Sequence, residues 1–385
     1  MRDYAEIGIG RQARRTYHLE DISIVPSRRT RSSKDTDTTW HIDAYTFGIP
    51  VMSHPTDALA SPEFIVELDR QGGLGVINAE GLWGRQADLE GALAQVVAAA
   101  QAEGSASAAQ ETDTPRAVQL LQELHAAPVD FELLAERIGQ VRAAGATVAV
   151  RVSPQNAREF APRVIAAGAE LLIIQGTIVS AEHVATGGEP LNLKDFIGSL
   201  DVPVIAGGVS DYTTVLHLMR TGAAGVIVGG GSNTSALALG INTPMATAIA
   251  DAAAARRDYL DETGGRYVHI LADGEIDNSG AVAKAIACGA DAVVVGELLA
   301  AAAEAPGKGF FWPSVAGHPR FPRGVVTRPS PAAAEAERPS LETVLHGPSA
   351  SALGKQNLVG GLRRAMAKCG YTNVKSFQKV DLAFS

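Results

Sequence analysis

AAGAELLIIQG (Ala166–Gly176), RTGAAGVIVGG (Arg220–Gly230) and ACGADAVVVGE (Ala287–Glu297) repeat one design. A helical pattern stops at a glycine, a short run of β-branched and apolar residues follows, and glycine closes the unit. Gly168, Gly222 and Gly289 stand where a helix C-cap needs positive φ. VPVIAGGVSD (Val202–Asp211) and VHILADGEID (Val268–Asp277) form a second set, each opening a unit whose next strand belongs to the first set. Working outward, eight such runs are found: IPVMS from Ile49, LGVIN from Leu74, ATVAVRV from Ala146, LLIIQ from Leu171, VPVIA from Val202, AGVIVG from Ala224, VHILA from Val268 and DAVVVGE from Asp291. Continuous apolar strands alternating with helices imply a parallel sheet covered by helices. Eight of them fit a closed α/β architecture, a single (β/α)8 TIM barrel, better than an open doubly wound sheet.

The whole chain, 1–385, reads as that one barrel with a C-terminal helical extension. EGSASAAQETDTP (103–115) is a short polar excursion, 312–347 is loop-rich, and LGKQNLVGGLRRAMAKCGY predicts a helix over about 353–369 whose basic face meets a partner subunit. A net charge of −9 excludes a nucleic-acid partner, because phosphate binding needs a clustered basic face. The basic run from Arg28 to Lys34 reads as a solvated turn. Cys288 and Cys369 cannot make a disulfide framework and suggest a reducing compartment. The polar N-terminal stretch and the lack of any apolar run near ~20 residues predict a soluble, cytoplasmic protein without a membrane partner.

In such a barrel, function sits on the loops that follow the strands. Those loops carry Ser53, Asn78, Ser153, Gln175, Gly207 and Gly208, Gly229–Ser232, Asp273–Glu275, and Gly296 and Glu297. Glycine turns exposing N–H groups at helix starts are anion sites, and three fall on adjacent strands. Asp273, ending the seventh strand, is placed to accept hydrogen bonds from ribose hydroxyls, or alternatively to cap the next helix, as Asp277 could.

Four stretches now add a resemblance. HLEDISIVPS (His18–Ser27), IPVMSHPTDALASPEFIVELDRQGGLGVIN (Ile49–Asn78), LADGEIDNSGAVAKAIACGADAVVVGELLAAAAEAPG (Leu271–Gly307) and GGLRRAMAKCGY (Gly360–Tyr371) resemble, in this order, the IMP dehydrogenase/GMP reductase family. The resemblance implies a purine nucleoside monophosphate held by Ser53, Ser232, Asp273, Gly274 and Gly296. It also implies NAD or NADP beside Gln175, Gly176, Thr177, Gly207 and Gly208, a homotetramer, and a place in guanine nucleotide metabolism. The family's regulatory insert between the second and third strands is absent, which resembles GMP reductase and the short IMP dehydrogenase-related proteins.

The same comparison exposes departures. The family attacks the purine with a cysteine after strand six, and it can hold a monovalent cation there. This loop reads GGGSNTSALALGINTPMATAI from Gly229, with Asn233, or after a one-residue gap Thr234, in the cysteine's place. An amide cannot replace a thiolate, and Thr234 is a weak nucleophile without an adjacent base. Gln175-Gly176-Thr177 replaces an acidic segment, Thr56 replaces a methionine, and Arg323 of Pro322-Arg323-Gly324 replaces a carboxylate. No Arg-Tyr pair for activating water is found. Cys288 precedes the eighth strand, at the barrel's floor, and Cys369 lies on the terminal helix. Two readings follow: an NAD(P)-linked purine nucleotide oxidoreductase, or a catalytically inactive nucleotide-binding regulatory or scaffold protein. A flavin-type barrel oxidoreductase would share the phosphate loops but has no cue of its own.

Overall fold

Strands apolar on both faces must be covered on both, and parallel strands need helical crossovers, so the repeat leaves few ways to fold. A computed structural model describes residues 3–105, 114–176, 182–183, 191–231, 233, 235–321, 323–328, 338–350 and 352–384. All eight expected strands form: β1 (Val51–Ser53), β2 (Val76–Asn78), β3 (Ala149–Val152), β4 (Leu171–Gln175), β5 (Val204–Val209), β6 (Gly225–Val228), β7 (His269–Ala272) and β8 (Ala292–Val295). They lie in the order β1-β8-β7-β6-β5-β4-β3-β2, every ladder parallel.

The last seam joins β1 to β2. Leu74 N donates to Val51 O and Ser53 N to Leu74 O, both at 2.9 Å, and Val76 N donates to the Ser53 hydroxyl at 3.0 Å. With that seam bonded the sheet is a (β/α)8 barrel. Among the described residues no helix is long and apolar enough to cross a membrane.

Strand alternation sorts the side chains. Met52, Val76, Ala149, Ile173, Ile227, Leu271 and Val294 fill the barrel interior, while their neighbours Val51, Ile77, Val150, Ile174, Val228, Ile270 and Val295 pack outward under the helices. A hairpin of Trp40–Ile42 and Tyr45–Phe47 closes the floor, with the Trp40 and Phe47 rings 5.1 Å apart.

The outer ring includes α1 (Pro62–Arg70), α2 (Leu89–Ser105), α3 (Arg116–His125), α4 (Phe131–Ala143), α5 (Ala157–Ala167), α6 (Leu193–Gly198), α7 (Tyr212–Arg220), α8 (Ser235–Leu239), α9 (Met245–Thr263), α10 (Ser279–Cys288) and α11 (Glu297–Ala300). Gly168 ends α5 at φ +117°, as its C-cap position required. Beyond the barrel come α12 (Leu341–His346), α13 (Leu358–Lys368) and α14 (Val374–Phe377).

The C-terminal extension spends its apolar side on this chain: Leu358, Val359, Leu362 and Met366 of α13 are buried, and Gly361 admits the Ser279 end of α10 at close range. The strand Asp381–Phe384 then pairs antiparallel with Ile22–Val25, belting the barrel from outside. Arg28–Lys34 runs along that belt as an exposed turn, with the Arg28 guanidinium 4.5 Å above the Tyr371 ring.

Below the strands, Asp291 gathers a buried charge network. It accepts from Arg256 at 2.6 Å, from the Tyr267 hydroxyl at 2.6 Å, and from Ile270 N at 2.8 Å. Burial pushes His269, which starts β7, down to about 4, so the ring is neutral in the fold. Asp291→Ala should therefore cost roughly 3–5 kcal/mol in urea unfolding, the usual loss when one member of a buried ion pair goes. Acid should act through His269. Below pH about 6.5 the unfolded ring takes a proton that the folded ring refuses, so stability falls as pH drops from there toward 4. His269→Gln should flatten that part of the profile.

Candidate functional site

Alternation that fills the interior with apolar side chains also decides what crowns it. Two residues beyond Met52, Val76, Ala149, Ile173, Ile227, Leu271 and Val294 stand His54, Asn78, Arg151, Gln175, Gly229, Asp273 and Gly296. The upper layer is thus polar or glycine at each of these positions. That is where a barrel places its chemistry.

Asp273 ties this layer together. Its Oδ2 accepts from Gln175 Nε2 at 2.7 Å, its Oδ1 lies 3.5 Å from His54 Nδ1, and its carbonyl accepts from Gly231 N at 2.9 Å. Gln175 is held from behind: its carbonyl accepts from Arg151 Nε at 3.0 Å and Nη2 at 2.6 Å. Arg151 Nη1 donates to Glu80 at 2.7 Å and to Asn78 Oδ1 at 3.2 Å, and Glu80 also accepts from the Ser153 hydroxyl at 2.6 Å. Burial drives the Arg151 guanidinium below its ordinary range, with Glu80 opposing the shift. A buried cation without that carboxylate would be strongly destabilising.

Among the described residues, two polar atoms in this layer have no partner: His54 Nε2 and Gln175 Oε1. Both side chains are buried, each with about 5% of its surface exposed. Buried polar atoms are nearly always hydrogen-bonded, so two at one mouth leave acceptors for a molecule entering there.

Beside them lies a cavity of about 130 Å³ lined by Gly230, Gly231, Asn233, Met245, Asp273, Gly274 and Glu275, among others. Gly231 (φ +66°) must be glycine, because a Cβ there would sit 2.7 Å from His54 Cε1. Gly274 packs on the Met245 thioether. Gly296 lies instead between Phe311 and His54, outside this cavity's lining. Gly207 and Gly208 pack directly on the backbone of Ile227 and Gly229, and Gly176 N donates to Gly207 O at 3.0 Å.

Other expected residues have local duties. The Ser53 hydroxyl oxygen lies in the β1–β2 seam. The Asn233 amide donates to Gly230 O at 2.8 Å and Gly231 O at 3.1 Å, while its oxygen accepts from Ser235 N at 2.7 Å. Asn233 therefore shapes the loop. Thr56 donates to the Trp312 carbonyl, and Arg323 lies over the Phe321 ring at 5.9 Å. Thr177, Ser232, Thr234 and Pro322 lie outside the described residues.

One residue escaped the motif-based reading: His54, although its register two places past Met52 announces it. Glu275, on a loop the sequence singled out, has contacts that the sequence did not show: at φ +57° its carboxylate accepts from Leu19 N at 2.7 Å and Met245 N at 3.4 Å and meets His18 Nδ1. That bond raises the His18 imidazole above its ordinary value. No sequence signal announced it, since its partners come from the N-terminal segment and the start of α9. Among the described residues no group of three or more His, Cys, Asp or Glu is arranged to hold a metal.

The IMP dehydrogenase / GMP reductase domain model matches residues 16–320. An uncharacterized oxidoreductase of Mycolicibacterium smegmatis is 64% identical over 381 residues, covering 98% of each chain. An inosine-5'-monophosphate dehydrogenase of Methanocaldococcus jannaschii is 24% identical, covering 96% of this chain and 92% of the relative. Among solved structures, an IMP dehydrogenase/GMP reductase-like protein from Corynebacterium glutamicum superposes with a TM-score of 0.92 at 68% identity, covering 100% of this chain and 98% of that one.

Neither cysteine reaches this mouth. Burial pushes the Cys288 thiol, at the C-terminal end of α10, up to about 12, and raises that of Cys369 at the end of α13. In native protein at neutral pH Cys288 should therefore react with iodoacetamide at least a hundredfold more slowly than in unfolded protein, and Cys369 also more slowly, because only the thiolate attacks. Mass spectrometry showing either thiol alkylated at the unfolded rate would contradict this placement.

Proposed function

The chain belongs to the IMP dehydrogenase/GMP reductase family, and from that premise we propose that it is a purine nucleotide oxidoreductase acting on a purine nucleoside monophosphate. One observation carries the reading furthest: a carboxylate, Asp273, stands beside a glycine-lined cavity in a layer where two buried acceptors await partners. Ribose hydroxyls are donors suited to such acceptors. Gly274 and Gly296, with Ser53 and Ser232, are the positions at which the family resemblance places the remaining nucleotide contacts.

A nicotinamide dinucleotide, NAD or NADP, fits the same mouth on one test. Gln175 Oε1 is a buried acceptor without a partner, suited to a carboxamide N–H. Gln175 and Gly176, with Thr177, Gly207 and Gly208, would hold that group, and its chemistry would be to accept or give a hydride. Gln175 is rigid enough for the task, since Asp273 and Arg151 bind it from two sides. A homotetramer, proposed on family resemblance, would have to use the basic side of α13, because its apolar side is already buried.

The second reading, a nucleotide-binding protein without turnover, draws on the absence of a thiol from the mouth. Calorimetry with IMP, XMP and GMP, with and without NAD or NADP, together with the absorbance of reduced nicotinamide, separates the two. Binding with turnover supports the enzyme, and binding without it supports the inactive form. Asp273→Ala should weaken monophosphate binding by about 1.5–3 kcal/mol, the worth of a hydrogen bond to a charged group. Unchanged affinity would remove Asp273 from the site.

A further inference from the structure

We propose that His54, oriented by Asp273, is a catalytic base of this mouth, taking a proton from the water or hydroxyl that attacks the bound ring. For the ligand's identity the proposal rests on the nucleotide reading above. The arrangement of the ring rests on geometry alone.

His54 follows β1 in the register that points into the barrel, and Asp273 follows β7 in the same register. Their side chains meet at 3.5 Å, both almost wholly buried. A carboxylate only accepts, so the nitrogen facing it carries the hydrogen and the far nitrogen is left as a bare acceptor. That far nitrogen, Nε2, has no partner among the described residues. Hydrogen bonds of catalytic groups are often long before substrate arrives and tighten in the complex, so 3.5 Å suits a waiting pair.

His125 of the same chain provides the contrast. Its Nδ1 meets Leu121 O at 2.7 Å and its Nε2 meets Asp57 at 3.2 Å, as a structural histidine should. His269 also has an unpartnered nitrogen, but it starts its strand at the opposite end of the barrel.

The surroundings are cut to fit the ring. A Cβ at Gly231 would lie 2.7 Å from His54 Cε1, and one at Gly296 would lie 2.7 Å from the Phe311 ring beside it, so one loop omits a side chain for the imidazole and another for its aromatic neighbour. Phe311 presents its ring at 5.9 Å from the imidazole. Among the described residues, Asp273, Gly231, Gly296 and Phe311 lie against His54, and of these only Asp273 titrates. Two of the ring's neighbours, Gly231 and Asp273, line the 130 Å³ cavity, the space that a ligand would enter.

The step balances without any co-reactant beyond water. One water O–H breaks, its proton goes to His54 Nε2, and the oxygen bonds to the electron-poor carbon of a ring C=N. The π pair of that bond moves to the ring nitrogen, which then takes the proton back from Nε2. The imidazole ends as it began, and water has added across C=N. An oxygen nucleophile made this way removes the need for a covalent thiol adduct.

The test uses the full-length protein with isotope-labelled histidine nitrogens, read by NMR, with the His54 signals assigned by their loss in His54→Gln. The expected state has hydrogen on Nδ1 and a bare Nε2 whose signal moves when IMP is added. Turnover of IMP with NAD or NADP should fall about 10²–10⁴-fold in kcat in His54→Gln, the usual worth of a general base. Asp273→Asn, which keeps the shape, should free the ring to exchange tautomers.

Several results overturn the proposal: hydrogen on Nε2, an Nε2 signal indifferent to bound IMP, a folded His54→Gln with wild-type kcat, or wild-type protein that binds IMP and turns over with neither dinucleotide. If calorimetry finds no IMP binding, the nucleotide reading fails by itself. The tautomer then decides the pair: hydrogen on Nδ1 upholds the acceptor, and hydrogen on Nε2 removes it.

Discussion

Closing eight parallel strands into a ring imposes the condition that the rest of this molecule obeys. Every strand must alternate between one interior and one outer shell, and every strand must end at the same rim. The seam between β1 and β2, bonded through Val51, Ser53, Leu74 and Val76, holds that condition in place. Once the ring is closed, the lower interior takes Met52, Ile173, Ile227, Leu271 and Val294, and the next inward positions can be polar because they face the open end. The floor differs because a hairpin seals it, so its charges are neutralised within the Asp291 network.

At the rim, a single carboxylate organises the polar layer. Asp273 holds Gln175 through one oxygen and faces His54 with the other, while its carbonyl fixes the loop after β6. The buried Arg151–Glu80 pair stiffens Gln175 from the far side. Buried pairs of this kind seldom add net stability over an apolar core. Their value here is positional: they hold two acceptors, His54 Nε2 and Gln175 Oε1, at fixed places without partners of their own. Preorganised polar groups in a water-poor mouth are what catalysis and tight recognition both require.

The fold was legible in the sequence because buried parallel strands are apolar runs without interruption, and the glycine stops of α5 and α10 repeat. All eight runs became strands. The mouth was legible in part. Asp273 and Gln175 stood out as polar residues ending apolar runs, but the hydrogen bond joining them spans strands that only the closed ring brings together. His54 was hidden by attention to the motif around Ser53, although counting two residues past Met52 reaches it. Glu275 was named with its loop, but its contacts could not be read, since its partners His18 and Leu19 lie more than 250 positions away in the chain. An amphipathic pattern likewise says that a face is buried but not against what, and α13 spends its apolar face on its own barrel.

We propose that this thiol-free mouth receives a purine nucleotide with its sugar against the Asp273 layer. A crystal structure of the protein grown with IMP decides this. Density for the nucleotide is expected at the rim of the barrel, its donors engaging His54 Nε2, Gln175 Oε1 or Asp273. A nucleotide bound elsewhere, with those atoms still unpartnered and the rim unchanged at saturating concentration, would contradict it.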